Sequence, residues 1–296
     1  MNGIKIYLSI LFAFLTTTVN AQEVIPFTLG EDNRIYIKVS LNGSDSLDFV
    51  YDLGANSVVI NKSKIEESNI QIKFDSLTEN VGSHGTSQET MSFKNTVSIG
   101  KITQQDVQVV GIDYPKEEKL HGIIGWNFFK DKMIRINYES SELVLYDNNY
   151  LVSDSYTKHK IKFVNGVPFI KFTLFEGNKK IKILGMIDTG YNGTISIYYT
   201  SVYENKLKDK YQIIGEATST GSDGNISKSD LVLPLKVSLG DFEIYNMPII
   251  LETTESASPY EALLGGEILK RFHIVLDFKK NVIYLQPNIK INSSFN

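Results

Sequence analysis

The chain has 296 residues, a formal charge of −4 and no cysteine. That length gives one or two domains with ample core, and the mild, evenly spread acidity points away from a nucleic-acid partner. Without cysteine, a disulfide framework and a thiolate-ligated metal are both excluded.

In chain order, the first expected element is a targeting segment. Lys5 gives a basic start, residues 7–15 form an apolar run, and Val19-Asn20-Ala21 closes the segment with a small residue. This layout predicts a signal peptide over residues 1–21, and with it export to a periplasm or beyond the cell. The apolar run is too short for a bilayer span, and no later stretch is long and apolar enough for one.

Strands follow. Ile35, Ile37, Val39 and Leu41 alternate with Tyr36, Lys38 and Ser40, the period of a half-buried strand. Leu47-Asp48-Phe49-Val50-Tyr51 runs directly into Asp52-Leu53-Gly54-Ala55. Polar residues 62–68 predict a short helix, and polar residues 148–159 predict a connection between two halves. Residues 169–175 and 180–187 flank a turn signal, Glu176-Gly177-Asn178-Lys179, and so predict a hairpin. The second of these runs leads into Asp188-Thr189-Gly190-Tyr191. A second short helix is expected over residues 201–209.

The sequence repeats itself. Gly122-Ile123-Ile124-Gly125 and Ala262-Leu263-Leu264-Gly265 lie 140 residues apart, as do Ser98-Ile99-Gly100 and Ser238-Leu239-Gly240. Gly82-Ser83-His84-Gly85 precedes Gly221-Ser222-Asp223-Gly224 by 139, and Asp52 precedes Asp188 by 136. Four landmarks in one order at nearly constant spacing indicate a tandem duplication. The expected architecture is mainly all-β, with homologous barrel-like lobes over residues 24–147 and 160–290, short helices, and a cleft between the lobes.

Each aspartate ends an apolar strand, and each is followed by a glycine suited to a sharp turn. One such aspartate is commonly a turn cap. Two equivalent ones, on lobes related by a pseudo-twofold axis, meet face to face. Carboxyls so close share one proton, so the neutral member can donate to a carbonyl while the charged one takes a proton from water. Aspartic proteases are the established example of acid and base paired on two aspartates, and the residues here resemble that superfamily directly. Asp188-Thr189-Gly190 resembles the Asp-Thr-Gly signature of pepsin-like and retropepsin-like enzymes, and Asp52-Leu53-Gly54-Ala55 its retroviral form. Ile123-Ile124-Gly125 and Leu263-Leu264-Gly265 resemble the hydrophobic-hydrophobic-glycine element that packs beneath the catalytic loop.

The resemblance, spanning roughly residues 30–287, implies an aspartic-type endopeptidase with Asp52 and Asp188 as the catalytic pair. It implies that Gly54, Thr189 and Gly190 support the catalytic loops, and that Asn56 and Asn192 contact substrate backbone. It also makes Gly82, Ser83, His84, Gly85, Gly221, Ser222, Asp223 and Gly224 flap residues over a bound peptide. No cofactor and no metal are expected; the partner is a peptide or protein substrate, and the chain is a monomer with pseudo-twofold lobes. His84, His121, His159 and His273 are too scattered for zinc chemistry, and most read as ordinary surface or satisfied histidines. Two departures stand out. Leu53 occupies the place of the usual threonine or serine, which removes half of a reciprocal hydroxyl grip between the loops and leaves open a catalytically weak or inactive peptide-binding relative. Tyr191 replaces a small residue, with no role assigned by sequence.

Overall fold

The computed structural model describes residues 22–115, 117–147, 150–255 and 258–295. The expected signal peptide, residues 1–21, lies outside them. No helix among the described residues is long and apolar enough to cross a membrane.

Alternation in the sequence becomes alternation in burial. In the strand Ile35–Leu41 the isoleucines, Val39 and Leu41 are buried while Lys38 is exposed. The strand Leu47–Asp52 is buried on both faces over its last four residues, because it is central in its sheet. It runs parallel to Gly122–Gly125, which is antiparallel to Val58–Asn61, which in turn is parallel to Ile102–Ile112. The second half has the same arrangement. There Lys179–Ile187 runs parallel to Ala262–Leu264, Ala262–Leu264 is antiparallel to Ile195–Ile197, and Ile195–Ile197 is parallel to Ile249–Glu252. Each half is thus a strongly curved sheet around an apolar interior, as the sequence predicts. The expected hairpin is present as Val167–Glu176 paired with Lys179–Ile187, with Gly177 at φ 56° in its tight turn.

The halves are also sewn together. Glu23–Leu29, Glu142–Tyr146 and Met133–Asn137 continue antiparallel into Phe272–Asp277, Val282–Pro287 and Thr157–Lys160, so one sheet carries strands from both halves. This sheet differs from the sequence expectation at one place. The connection expected over residues 148–159 ends in the strand Thr157–Lys160, which pairs with Val282–Pro287. Its residues alternate only between half-buried and exposed, since it lies at the sheet's edge, and that weak contrast hides it in the sequence.

The short helices are shorter than expected. Residues 62–68 contain a single helical turn, Lys62–Lys64, capped by Asn61, and residues 201–209 divide into Tyr199–Glu204 and Leu207–Asp209. Lys206 separates the second pair in a left-handed conformation at φ 50°.

The C-terminal tail is integral, whereas the sequence pattern ends the C-terminal lobe at residue 290. Arg271, fully buried, donates to the carbonyls of Lys290, Ser293 and Ser294 at 2.7, 2.7 and 3.0 Å, pairs with Glu267 at 2.8 Å, and stacks on Phe295. Breaking a buried ion pair by deleting one partner costs about 3–5 kcal/mol. Lys270 still pairs with Glu267 at 2.6 Å, so Arg271→Ala is expected near the lower end, about 3 kcal/mol. Urea unfolding measures the loss, and hydrogen exchange should show residues 290–295 released.

Candidate active site

The two Asp-containing loops meet at the seam between the halves. Asp52 is the last residue of its strand, and Asp188 directly follows its own, Lys179–Ile187. Each carboxylate is gripped by the turn after it. Gly54 N–H donates to Asp52 Oδ1 at 2.7 Å; Gly190 and Tyr191 N–H donate to Asp188 Oδ1 at 2.9 and 2.8 Å. Gly190 N–H also reaches across to Asp52 Oδ1 at 3.2 Å. The carboxyls stand within hydrogen-bonding reach of each other. A Cβ on Gly190 would lie 2.5 Å from Asp52 Oδ2, and one on Gly54 would lie 2.8 Å from Asp188 Cγ. Only glycine at both positions lets the loops approach this closely.

Beneath the loops lie the two hydrophobic-hydrophobic-glycine segments. Gly125 N–H donates to Ser57 O at 3.0 Å and Trp126 N–H to Ala55 O at 3.0 Å. In the other half Gly265 and Gly266 N–H donate to Thr194 O and Tyr191 O, both at 2.7 Å. A Cβ on Gly265 would sit 2.3 Å from Gly193 O. The segments expected beneath the loops are therefore in contact with them.

The inter-loop grip survives in half. Thr189, fully buried, accepts from Leu53 N–H at 3.0 Å and donates to Tyr51 O at 2.7 Å. Leu53 has no hydroxyl to return the bond. Its side chain is instead completely buried in the main apolar core, so packing replaces the missing polar contact on that side.

Burial raises the pKa of both aspartates. Asp188 is raised well above the usual carboxylate range, because the neighbouring charge of Asp52 adds to desolvation. Asp52 is raised by burial, against the hydrogen bonds it accepts and the nearby charge of Arg34. The two carboxyls accordingly titrate as a pair that holds one proton between them. Arg34 is not among the residues the sequence pattern singles out. It is held by Asp32 at 3.0 Å and by Glu118 at 3.3 Å, and nothing in its local sequence distinguishes it from a surface arginine.

The two expected flap segments are hairpin tips, and they touch. Ser76–Val81 and Thr86–Ile99 form one hairpin, Ile213–Thr220 and Ile226–Val232 the other. His84 N–H donates to Asp223 Oδ2 at 2.9 Å, and its ring nitrogen Nε2 lies 3.0 Å from Ser219 Oγ. Asn80 Nδ2 donates to Ser222 O at 3.3 Å. His84 and Asp223 are equivalent positions of the repeat, and it is the Asp223 side chain that takes the backbone N–H of its counterpart. His84 is thus no ordinary surface histidine: its imidazole is buried across the seam, 6.5 Å from the ring of Tyr198, and burial lowers its pKa. Gly82, Ser83 and Gly85 lie in the same tip, and Gly221, Ser222 and Gly224 in the opposing one, with a Cβ on Gly221 falling 2.7 Å from Ser83 Oγ.

Asn56 and Asn192 are exposed at the ends of the two Asp loops. Their carbonyls accept from Asn127 Nδ2 and from Asn33 Nδ2, the latter at 3.0 Å. Tyr191 lies beside Asp188 with its phenol folded back over Gly193, where a Cβ would meet Tyr191 Oη at 2.3 Å.

These features match what is known of other proteins. Residues 37–128 match the family model described as Aspartyl protease. The fold is similar to that in the crystal structure of aspartic proteinase from Irpex lacteus, with a TM-score of 0.60 over 93% of this chain and 100% of that one, at 13% sequence identity. No curated protein matches the chain. The architecture is therefore that of an aspartic proteinase. Taken with the family match, it supports placement in the aspartic-protease superfamily and a protease-like function.

Two outcomes follow from this geometry. A carboxyl whose folded-state pKa is raised stabilises the fold below its unfolded pKa, and that contribution is lost as pH rises through the folded value. Asp188→Asn removes the penalty, so it should melt higher than wild type at neutral pH, with the difference vanishing below about pH 4. Calorimetry across pH checks this. The cysteine-free chain also permits clean spin labelling at Val81 and Ile226, which are 51% and 65% exposed beside the two tips. Asp223→Ala should broaden and lengthen the distance distribution measured by pulsed electron resonance.

Proposed function

We propose that the protein is an exported aspartic endopeptidase that hydrolyses peptide bonds with water activated between Asp52 and Asp188. The observation that carries the reading is the confrontation of two carboxyls across the seam, Asp52 buried and Asp188 half-buried, with Gly190 N–H reaching from the second loop to Asp52 Oδ1 at 3.2 Å. Ionised Asp52 takes a proton from water as it attacks the scissile carbonyl, and protonated Asp188 donates to the carbonyl oxygen as it becomes tetrahedral. Return of a proton to the leaving amine completes hydrolysis, with neither metal nor covalent intermediate in the sequence of steps.

Substrate lies extended in the cleft beneath the two hairpins, whose clasp must part for a chain to enter. Peptide backbone then pairs with flap strands in the manner of strand addition. Asn56 and Asn192, exposed at the ends of the Asp loops, are placed to meet that backbone. The recurrence of one strand arrangement in both halves supports an origin by duplication and a monomer in which the halves of residues 24–147 and 160–290 act as paired lobes. Export rests on the sequence of residues 1–21, and compartment follows from it: periplasmic or secreted.

Leu53 favours a second reading, a peptide-binding relative with weak or no turnover, because one side of the loop grip lacks its hydroxyl. One assay separates the two. Wild type should cleave unfolded casein and a peptide mixture, and Asp188→Asn and Asp52→Asn should each lose about 10²–10⁴-fold in kcat/KM. The pH profile should be bell-shaped, its acid limb marking protonation of Asp52 and its alkaline limb loss of the Asp188 proton. Cleavage that persists unchanged in Asp188→Asn overturns the hydrolytic reading; retained peptide binding without turnover in wild type establishes the second.

A further inference from the structure

The two lobes are not chemically equivalent beneath the flaps. Ile195 pairs with Leu264, and Val58 with Ile124, at equivalent places in the repeat. Ile197 then pairs with Leu251 as Ile60 does with Gly111, which makes Glu252 the counterpart of Ile112. Ile112 is 3% exposed and Glu252 1% exposed. The fold accepts an aliphatic side chain at this position in one lobe, so the carboxylate in the other is not demanded by the architecture.

Glu252 is poorly provided for. Ser196 Oγ donates to Oε1 at 3.3 Å and the Ser227 hydroxyl lies alongside, while Oε2 has no hydrogen-bond partner among the described residues. The one basic group within 4 Å among the described residues is the His84 imidazole, with Nδ1 at 3.7 Å from Oε1, beyond hydrogen-bonding distance. Burial pushes the carboxyl up to about 7. Tyr198, whose ring lies 6.5 Å from that of His84, feels the charges of both Glu252 and Asp188, as does Tyr191, so this carboxyl lies beneath the flap tip on the Asp188 side.

His84 belongs to the flap tip, the element that must lift for a peptide to enter. Lifting it withdraws the one basic group within 4 Å of Glu252 among the described residues and leaves an acidic group beneath the flap in a site screened from bulk water. An unpaired buried charge is costly, and an ammonium or guanidinium arriving on the substrate removes that cost. We propose that Glu252 forms the floor of a subsite in the C-terminal lobe that receives a basic side chain of the substrate, lysine or arginine, close to the scissile bond. His84 occupies this place while the flaps are clasped. The inference rests on the proposed peptide-hydrolytic cleft and adds its charge selectivity.

The test uses the full chain and a mixed synthetic peptide library, with cleavage sites read by mass spectrometry. Wild type is expected to favour lysine or arginine over glutamine or norleucine by at least about tenfold at one position near the cut. That ratio should fall close to one in Glu252→Gln, which keeps the shape and the Ser196 contact. It should fall likewise in Glu252→Ile, which copies the other lobe and serves if the first variant folds poorly. A ratio near one in wild type, or a preference that survives both substitutions, overturns the subsite. If wild type cleaves nothing, hydrolysis fails by itself, and fluorescence polarisation of labelled lysine and norleucine hexapeptides on Asp188→Asn decides the subsite alone: tighter lysine binding that Glu252→Gln abolishes supports it, and equal binding overturns it.

Discussion

Everything at the seam depends on two loops being forced together tightly enough for their carboxyls to share a proton. Like charges repel at this range, so the approach has to be held by something other than the carboxylates. Thr189 supplies part of it, with one hydroxyl that accepts from Leu53 N–H and donates to Tyr51 O, bridging the halves inside the core. The sheet shared by both halves supplies the rest, fixing the lobes as one unit through the pairing of Met133–Asn137 with Phe272–Asp277. Glycines at 54 and 190 remove the side chains that would otherwise keep the loops apart.

Asymmetry grows out of this symmetric frame. The repeat places equivalent residues opposite one another, and divergence between the copies then decides the chemistry. Arg34 stands on the side of Asp52 and favours its ionised form, whereas the charge of Asp52 opposes ionisation of Asp188. The flap tips are joined unevenly: the Asp223 carboxylate accepts from the backbone N–H of residue 84, while the His84 ring reaches Ser219 Oγ in the opposing hairpin. Leu53 faces Thr189 in the same way: one copy keeps the hydroxyl, and the other replaces it with apolar packing. A two-chain assembly of identical lobes has no access to such differences, and a fused chain does.

The polar environment is also uneven. In the C-terminal half, Tyr191, Tyr198 and Glu252 crowd the region behind Asp188, and burial raises the pKa of each. Buried ionisable groups with so few partners destabilise a fold, and proteins retain them chiefly where a ligand or a reaction uses them. The tight tail around Arg271 has a different character. Its donors are matched to carbonyls and to Glu267, and it fastens the chain terminus to the body.

Sequence by itself determined the β architecture, the paired Asp-Gly turns and the hairpin tips, because each of these is written in local patterns: alternation of apolar residues, glycine after aspartate, and a repeat at constant spacing. Asp52 and Asp188 were legible for that reason. Only the tertiary structure decided that the tips clasp, that Leu53 is held by the core, that residues 157–160 form an edge strand, that the His84 imidazole is buried beside Glu252, and that Arg34 bears on Asp52. Those residues carry no local signal. Their surroundings are assembled largely by other segments of the chain, as Glu118 meets Arg34 and His84 meets Glu252, and charge, burial and pKa belong to the surroundings rather than to the side chain.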